Sequence, residues 1–221
     1  MNEFDFFSHI SKRLGRHTPL TTAPKRGVTG VPDHFAKWSL TGTERVNRFA
    51  EELENLGGTV IRCSSEADMV ERLDDLLKTL QPSAVGTWGE PVVENDRFEE
   101  VLNDYTVLRW GEVGSRDFAV ADVGITGCDF AIADTGTVVL SASRVRGRSV
   151  HLLPSVHIAV VRESQVRTRM GEVFADLADA GSLPSSVLLV SGPSRSSDIE
   201  NDLSIGVHGP GAVYALVVLG E

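Results

Sequence analysis

Cysteine is nearly missing from this chain: only Cys63 and Cys128 occur in 221 residues. Two thiols so far apart give neither an iron–sulfur nor a zinc spacing. Both stand beside apolar runs, so they read as buried thiols rather than as a disulfide. No HxxxH pair and no His/Asp/Glu cluster has the spacing of a metal site. No apolar run reaches the roughly 18–20 residues that a membrane helix needs. The opening MNEFDFFSHISKR has no basic stretch followed by an apolar one, so it does not read as a secretion signal, and a cytoplasmic location is expected. Basic residues are also scarce, 21 against 31 acidic ones, for a net charge of −10. That balance argues against nucleic acid or an anionic membrane as the main partner. Lys12, Arg13, Arg16, Lys25, Arg26, Lys37, Arg45 and Arg48 form a local exception. They lie scattered among Pro, Thr and Gly and read mainly as a solvated arm.

The composition present is that of a soluble globular domain, 41% hydrophobic and 24% charged. A chain of this length buries about 70% of its unfolded surface without staples. Residues 1–42 hold several breakers (Pro19, Pro24, Gly27, Gly30, Pro32) and read as an N-terminal arm and linker, with a short helix carrying Phe4, Phe6, Phe7 and Ile10. Residues 43–221 read as one α/β domain. Thr43 can cap a helix over 44–56 with Val46, Phe49, Ala50, Leu53 and Leu56 on one face. Helix 66–80 follows the strand TVIRC (59–63), and Pro82 stops it. SAVGT (83–87), a short acidic helix near 96–103 and TVLRW (106–110) continue the alternation, which predicts a mostly parallel sheet flanked by helices. FAIADTGTVVLSA (130–142) has the pattern of an inserted β-hairpin with a Gly-containing turn. SVHIAVV (155–161), a helix over 163–179 with Val166, Met170, Val173, Phe174 and Leu177 facing inward, SVLLVS (186–191) and AVYALVVL (212–219) bring the count to about eight strands.

Three polar segments stand out against these apolar runs. VLLVSGPSRSSDIE reads as strand, turn and helix start: Gly192 and Pro193 set the turn, and Ser194, Ser196 and Ser197 are N-cap candidates. Unpaired N–H groups at such a helix start favour an anion, and Arg195 adds a fork for phosphate or carboxylate. Equally, the segment would only cap a helix, with Arg195 pairing Asp198 or Glu200. In GVHGPGAV (206–213), His208 stands between glycines, beside Gly209. It reads either as an acid/base group that a ligand can reach or as a turn histidine bonded to Asp198 or Glu200. Asp134, Thr135, Gly136 and Thr137 offer a hydroxyl-rich turn that could wrap an anion, although a hairpin needs the same residue types. His151 and His157 sit on or beside apolar strands and read as core histidines. The Gly-rich stretches fit neither GxGxxG nor GxxxxGK[ST], which disfavours dinucleotide and Walker-type sites.

Taken in order, CDFAIADTGTVVL, LLPSVHIAVV, SGPSRSSDIE and GVHGP resemble the LUD-domain family over roughly residues 80–221. Asp134 stands where the family pattern has Glu, and Ser196-Ser197 where Thr-Ala is usual. The resemblance implies a fold like that of the NagB/ribose-5-phosphate isomerase/CoA-transferase group, akin also to formyltetrahydrofolate cyclo-ligase. It implies work beside two iron–sulfur proteins that oxidise L-lactate to pyruvate, with the clusters in those partners and no cofactor in this chain. The family motifs carry no residue roles over; read from the residues themselves, a small anionic metabolite would be held by Arg195 as anchor. Asp134, Thr135, Gly136, Thr137, Gly192, Ser194 and Gly209 would line its pocket, Asp198 and Glu200 would orient polar groups, and His208 would act as acid/base. The other readings are a stand-alone isomerase, acyl transferase or ATP-dependent ligase on a phosphorylated or CoA-linked molecule, which rests on fold analogy and the Arg195/His208 constellation, and a metabolite sensor, which sequence does not separate from the lactate reading.

Overall fold

The computed structural model describes residues 2–20, 22, 37–197 and 203–220. Contacts divide the chain into Met1–Trp38 and Ser39–Glu221. In the first unit the expected short helix forms as α1 (Glu3–Arg13). The Asn2 side chain accepts from the Asp5 amide at 2.8 Å, with Glu3 and Asp5 in the first turn and Lys12 and Arg13 in the last. That charge order suits the helix dipole. Most of the expected linker, 18–31, lies outside the described residues.

The second unit begins with α2 (Gly42–Asn55). Its cap is Thr41 rather than Thr43: the Thr41 amide and hydroxyl both donate to Glu44 Oε2 at 3.2 Å. A glutamate three residues on can close this box at Thr41, and Thr43 has no such partner. Then follow β1 (Thr59–Cys63), α3 (Glu66–Leu80), β2 (Ala84–Thr87), α4 (Asp96–Leu102), β3 (Thr106–Arg109) and β4 (Val123–Thr126). The hairpin β5 (Phe130–Ile132) and β6 (Thr137–Ser141) turns through Asp134–Gly136, as its sequence predicts. After it come α5 (Ser149–Leu152), β7 (Val156–Arg162), β8 (Val166–Arg167), α6 (Met170–Asp179), β9 (Val187–Val190), β10 (Arg195–Ser197), β11 (Leu203–Ile205) and β12 (Ala212–Val218).

Six strands make one wholly parallel sheet in the order β1-β12-β7-β4-β2-β3. Both faces are covered, and successive residues alternate between two cores. On β7, Ile158 and Val160 pack with Met69, Val70, Leu73 and Leu77 of α3 and with Phe98 and Leu102 of α4. Ala159 and Val161 face the other way, toward Val46, Phe49 and Leu53 of α2 and toward β5 and β6. Period-2 side chains on a strand buried on both sides give this near-continuous apolar reading. Burying each of these large side chains contributes about 1.5–3 kcal/mol.

A second sheet, β8-β5-β6-β9, lies over α2, so the inserted hairpin is the centre of four strands rather than an isolated pair. This corrects the helix expected over 163–179. Glu163–Gln165 form a single tight turn and Val166–Arg167 pair with Ala131–Ile132, so the helix begins only at Met170. Sheet pairing of a fully buried Val166 outweighs its place in a helical stripe. Met170 and Phe174, expected to face inward, are exposed, whereas Val166 and Val173 of that stripe are buried. The other correction concerns Arg195–Ser197. They do not start a helix but pair antiparallel with Leu203–Ile205. Cross-strand backbone bonds there satisfy the amides that a helix start would have left open. Twelve strands are present among the described residues, four more than the apolar runs suggest. The additional ones are the VGIT strand β4 and the two- and three-residue pieces β8, β10 and β11.

Candidate functional site

The polar segments read from the sequence gather at the amino edge of the parallel sheet. The Ser194 amide donates to the Pro210 carbonyl at 2.8 Å and the Gly206 amide to the Ser194 carbonyl at 2.9 Å. Gly211 donates to Ser155, the residue before β7, at 2.8 Å. Ser194, Gly209 and the exposed His208 therefore share one loop cluster. The Arg195 guanidinium donates to the carbonyl of Leu56, the residue that ends α2. A cation on the last carbonyls of a helix is a favourable structural contact in itself. Gly192, at φ +86°, packs on the same Leu56.

The turn Asp134–Thr137 joins this edge through hydroxyls. Thr137 Oγ1 lies 2.7 Å from both Thr135 Oγ1 and Ser191 Oγ. Its glycine is closed against helix α2: a Cβ at Gly136 would fall 2.2 Å from the Leu53 nitrogen. The backbone conformation of the turn, at φ +57°, and this close approach both demand glycine. Asp134 is half-buried and its amide donates to the Thr168 carbonyl at 3.0 Å. Asp198 and Glu200 lie outside the described residues.

At the opposite, carboxyl edge a cavity of about 450 Å³ opens where four parallel strands end. Trp88 follows β2, Gly127 and Cys128 follow β4, Arg162 ends β7, and Glu66 opens the helix after β1. Crevices at the carboxyl ends of such strands are where open α/β sheets bind ligands. Arg146, from the loop after β6, crosses the cavity wall. Its guanidinium carbon stands 4.9 Å from the centroid of the Trp88 ring, Nε donates to Glu90, and Nη1 donates to Asp129 at 2.6 Å. Nη2 carries no hydrogen bond among the described residues. Burial works against the Arg146 charge, but the bond to Glu90 and the nearby Asp129 more than offset it, so its pKa stands above the ordinary arginine value. Asp129 is held in turn by the Ser141 amide at 2.6 Å.

Arg162 donates to Glu66 at 2.8 Å. Gln165 is fixed by three bonds. Its Nε2 donates to the Cys128 carbonyl at 2.7 Å, while its Oε1 accepts from the Arg162 amide at 2.8 Å and the Cys128 thiol at 3.4 Å. The buried indole N–H of Trp88 has no acceptor among the described residues. A buried donor left open costs about 1–3 kcal/mol. Burial, then the charge of Asp129, pushes the Cys128 thiol far up, so it is no nucleophile. Residue patterns around each polar segment did not single out Trp88, Glu90, Arg146, Arg162 or Gln165. The signal lay in position, since TWGEP, TGCD and VVRESQ each begin where a parallel strand ends.

His151 and His157 are core residues, as expected, but neither ring nitrogen of His151 has a hydrogen-bond partner among the described residues. His157 is fully buried, with Nε2 2.9 Å from Thr126 Oγ1, and the two imidazole centroids are 5.8 Å apart. Burial, reinforced by His151, lowers the His157 pKa to about 3; burial, with the charge of Arg148, lowers that of His151 to about 4. Among the described residues no helix is long and apolar enough to cross a membrane.

Comparison with known proteins agrees with this architecture. The profile of the LUD domain matches residues 46–218. A Bacillus subtilis protein named "Lactate utilization protein C" is 43% identical over 240 residues, covering 98% of this chain and 96% of its own length. One of the same name from Halalkalibacterium halodurans is 31% identical over 222 residues, covering 96% of each chain. The crystal structure of a DUF162 family protein from Deinococcus radiodurans shares the fold, with a TM-score of 0.61 and 24% identity over 81% of this chain and 99% of that one. By family profile and by relatives spanning nearly its whole length, the chain belongs to the LUD domain family.

Proposed function

We propose that this chain serves L-lactate utilization as a component without redox groups of its own, and that it holds a small carboxylate in the carboxyl-edge cavity. The names of its relatives support the first part. The observation that carries the second is the Arg146 guanidinium, held over the Trp88 ring with Nη2 free of hydrogen bonds among the described residues. The open Nη2 can donate to a carboxylate oxygen, and a neighbouring hydroxyl would donate to a glutamate of the lining. Electron transfer is assigned to iron–sulfur partner proteins. Cys63 and Cys128 belong to separate cores on the two faces of the sheet, so they do not supply a cluster together.

The test sets the two edges against each other. L-Lactate and pyruvate are titrated calorimetrically into wild type, Arg146→Ala and Arg195→Ala, and the same alleles are used to rescue a deletion strain on L-lactate as sole carbon source. Loss of affinity and of rescue confined to Arg146→Ala is the expected result. Loss confined to Arg195→Ala moves the site to the amino edge, where Arg195, His208 and the Thr135–Thr137 turn would hold the anion. Growth of the deletion strain without any allele overturns the lactate role. Co-purification with iron–sulfur proteins under anaerobic, low-salt conditions checks the partnership.

A further inference from the structure

Beyond Arg146 lies a second cavity of about 390 Å³, lined by Trp110, Ser115, Ser143, Arg146, Arg148, Ser149 and Ser185 with Ala142 and Gly147. Two arginines and no acidic residue line it, in a chain whose net charge is −10. Arg146 is committed to Glu90 and Asp129 on its other side, whereas Arg148 forms no ion pair among the described residues. The hydroxyls of Ser115, Ser149 and Ser185 have no hydrogen-bond partner among them either, and Ser143 Oγ accepts only from the Val145 amide at 3.2 Å, leaving its proton to donate.

The loop that carries these groups, SRVRGRS (143–149), is pinned before any ligand arrives. The Gly89 amide donates to the Val145 carbonyl at 2.9 Å, the Ser143 amide to the Arg146 carbonyl at 3.2 Å, and Trp110 Nε1 to the Arg144 carbonyl at 3.0 Å. Gly147 lies flat on the Trp110 indole: a Cβ there would fall 2.0 Å from the ring. A loop backbone held by such supports loses little freedom on binding.

We propose that this second cavity binds the phosphate group of a small phosphorylated molecule. A tetrahedral dianion offers three oxygens, enough to engage the Arg148 fork and several serine hydroxyls at once, where a carboxylate offers two. The volume exceeds that of phosphate alone and falls within the roughly 300–1,000 Å³ of small-molecule sites, so part of the attached carbon skeleton enters with it. The site shares only Arg146 with the carboxylate cavity and stands without that reading.

Inorganic phosphate and phenyl phosphate, titrated calorimetrically into the full chain, provide the test. Both bind saturably, phenyl phosphate more tightly, and Arg148→Ala weakens both at least tenfold while its circular dichroism stays that of wild type. Ser149→Ala, a smaller change, weakens them severalfold. Arg144→Ala removes a charge from the same loop but outside the cavity lining, and leaves binding within twofold. Absence of saturable binding, binding unaltered by Arg148→Ala, or equal losses in Arg144→Ala and Arg148→Ala would overturn the proposal; the last marks mere surface charge.

Discussion

Arg146 lies over the indole of Trp88, its guanidinium carbon 4.9 Å from the ring centroid, and this contact ties the loop after β6 to the end of β2. The same guanidinium bonds Glu90 and Asp129, so one side chain joins three segments that are distant in sequence. Arg146→Lys keeps the charge but loses the planar fork. We expect it to lower stability by about 1–2 kcal/mol in urea unfolding and to weaken carboxylate binding about tenfold.

The histidine pair makes stability depend on pH in a defined direction. His157 and His151 have folded pKa values lowered to about 3 and about 4, whereas in the unfolded chain both titrate near 6.5. Below about pH 6.5 the unfolded state therefore binds protons that the folded state refuses. Stability contributed by the pair is complete above that pH and is lost as pH falls toward the folded values, by up to about 1.4 kcal/mol per pH unit for each imidazole. His151→Leu should make the loss between about pH 7.5 and 5 shallower by up to one proton's slope, as read by urea unfolding at each pH.

Gly136→Ala should destabilise the domain by at least about 2 kcal/mol, because the left-handed turn and the Leu53 backbone both reject a side chain. Thermal unfolding measures the change, and an unaltered midpoint would show that the hairpin turn does not press on α2.

Cys63 and Cys128 should resist alkylation in the folded protein. Cys63 is raised to about 11 by burial and then by Asp68, and Cys128 is raised further by burial and Asp129. Iodoacetamide at mildly alkaline pH, followed by mass spectrometry, should label neither until denaturant is added.

Arg195→Ala should cost about 0.5–1 kcal/mol through loss of the bond to Leu56, a cation at the end of a helix. Differential scanning calorimetry against wild type reads it directly.

The chain's own pattern determined the elements of long period. The stripes of α2 and α3 and the β-branched runs of β7 and β12 became the two cores, because side-chain periodicity and burial on one face are the same fact seen twice. The hairpin through Asp134–Gly136 was legible for a local reason, since its turn needs a residue at positive φ. Short pairings were not: Val166–Arg167 and Arg195–Ser197 are strands only because a partner lies alongside, and no window of their own sequence contains that partner. The sites divide in the same way. Gly192, Arg195 and His208 are conspicuous in the sequence, yet which edge of the sheet they occupy depends on strand direction and order, which put them at the amino ends. Arg146, Trp88, Gln165 and Arg162 are ordinary residues in sequence. Only tertiary structure brought them around one cavity, because parallel strands gather their carboxyl ends from segments as distant as Trp88 and Arg162.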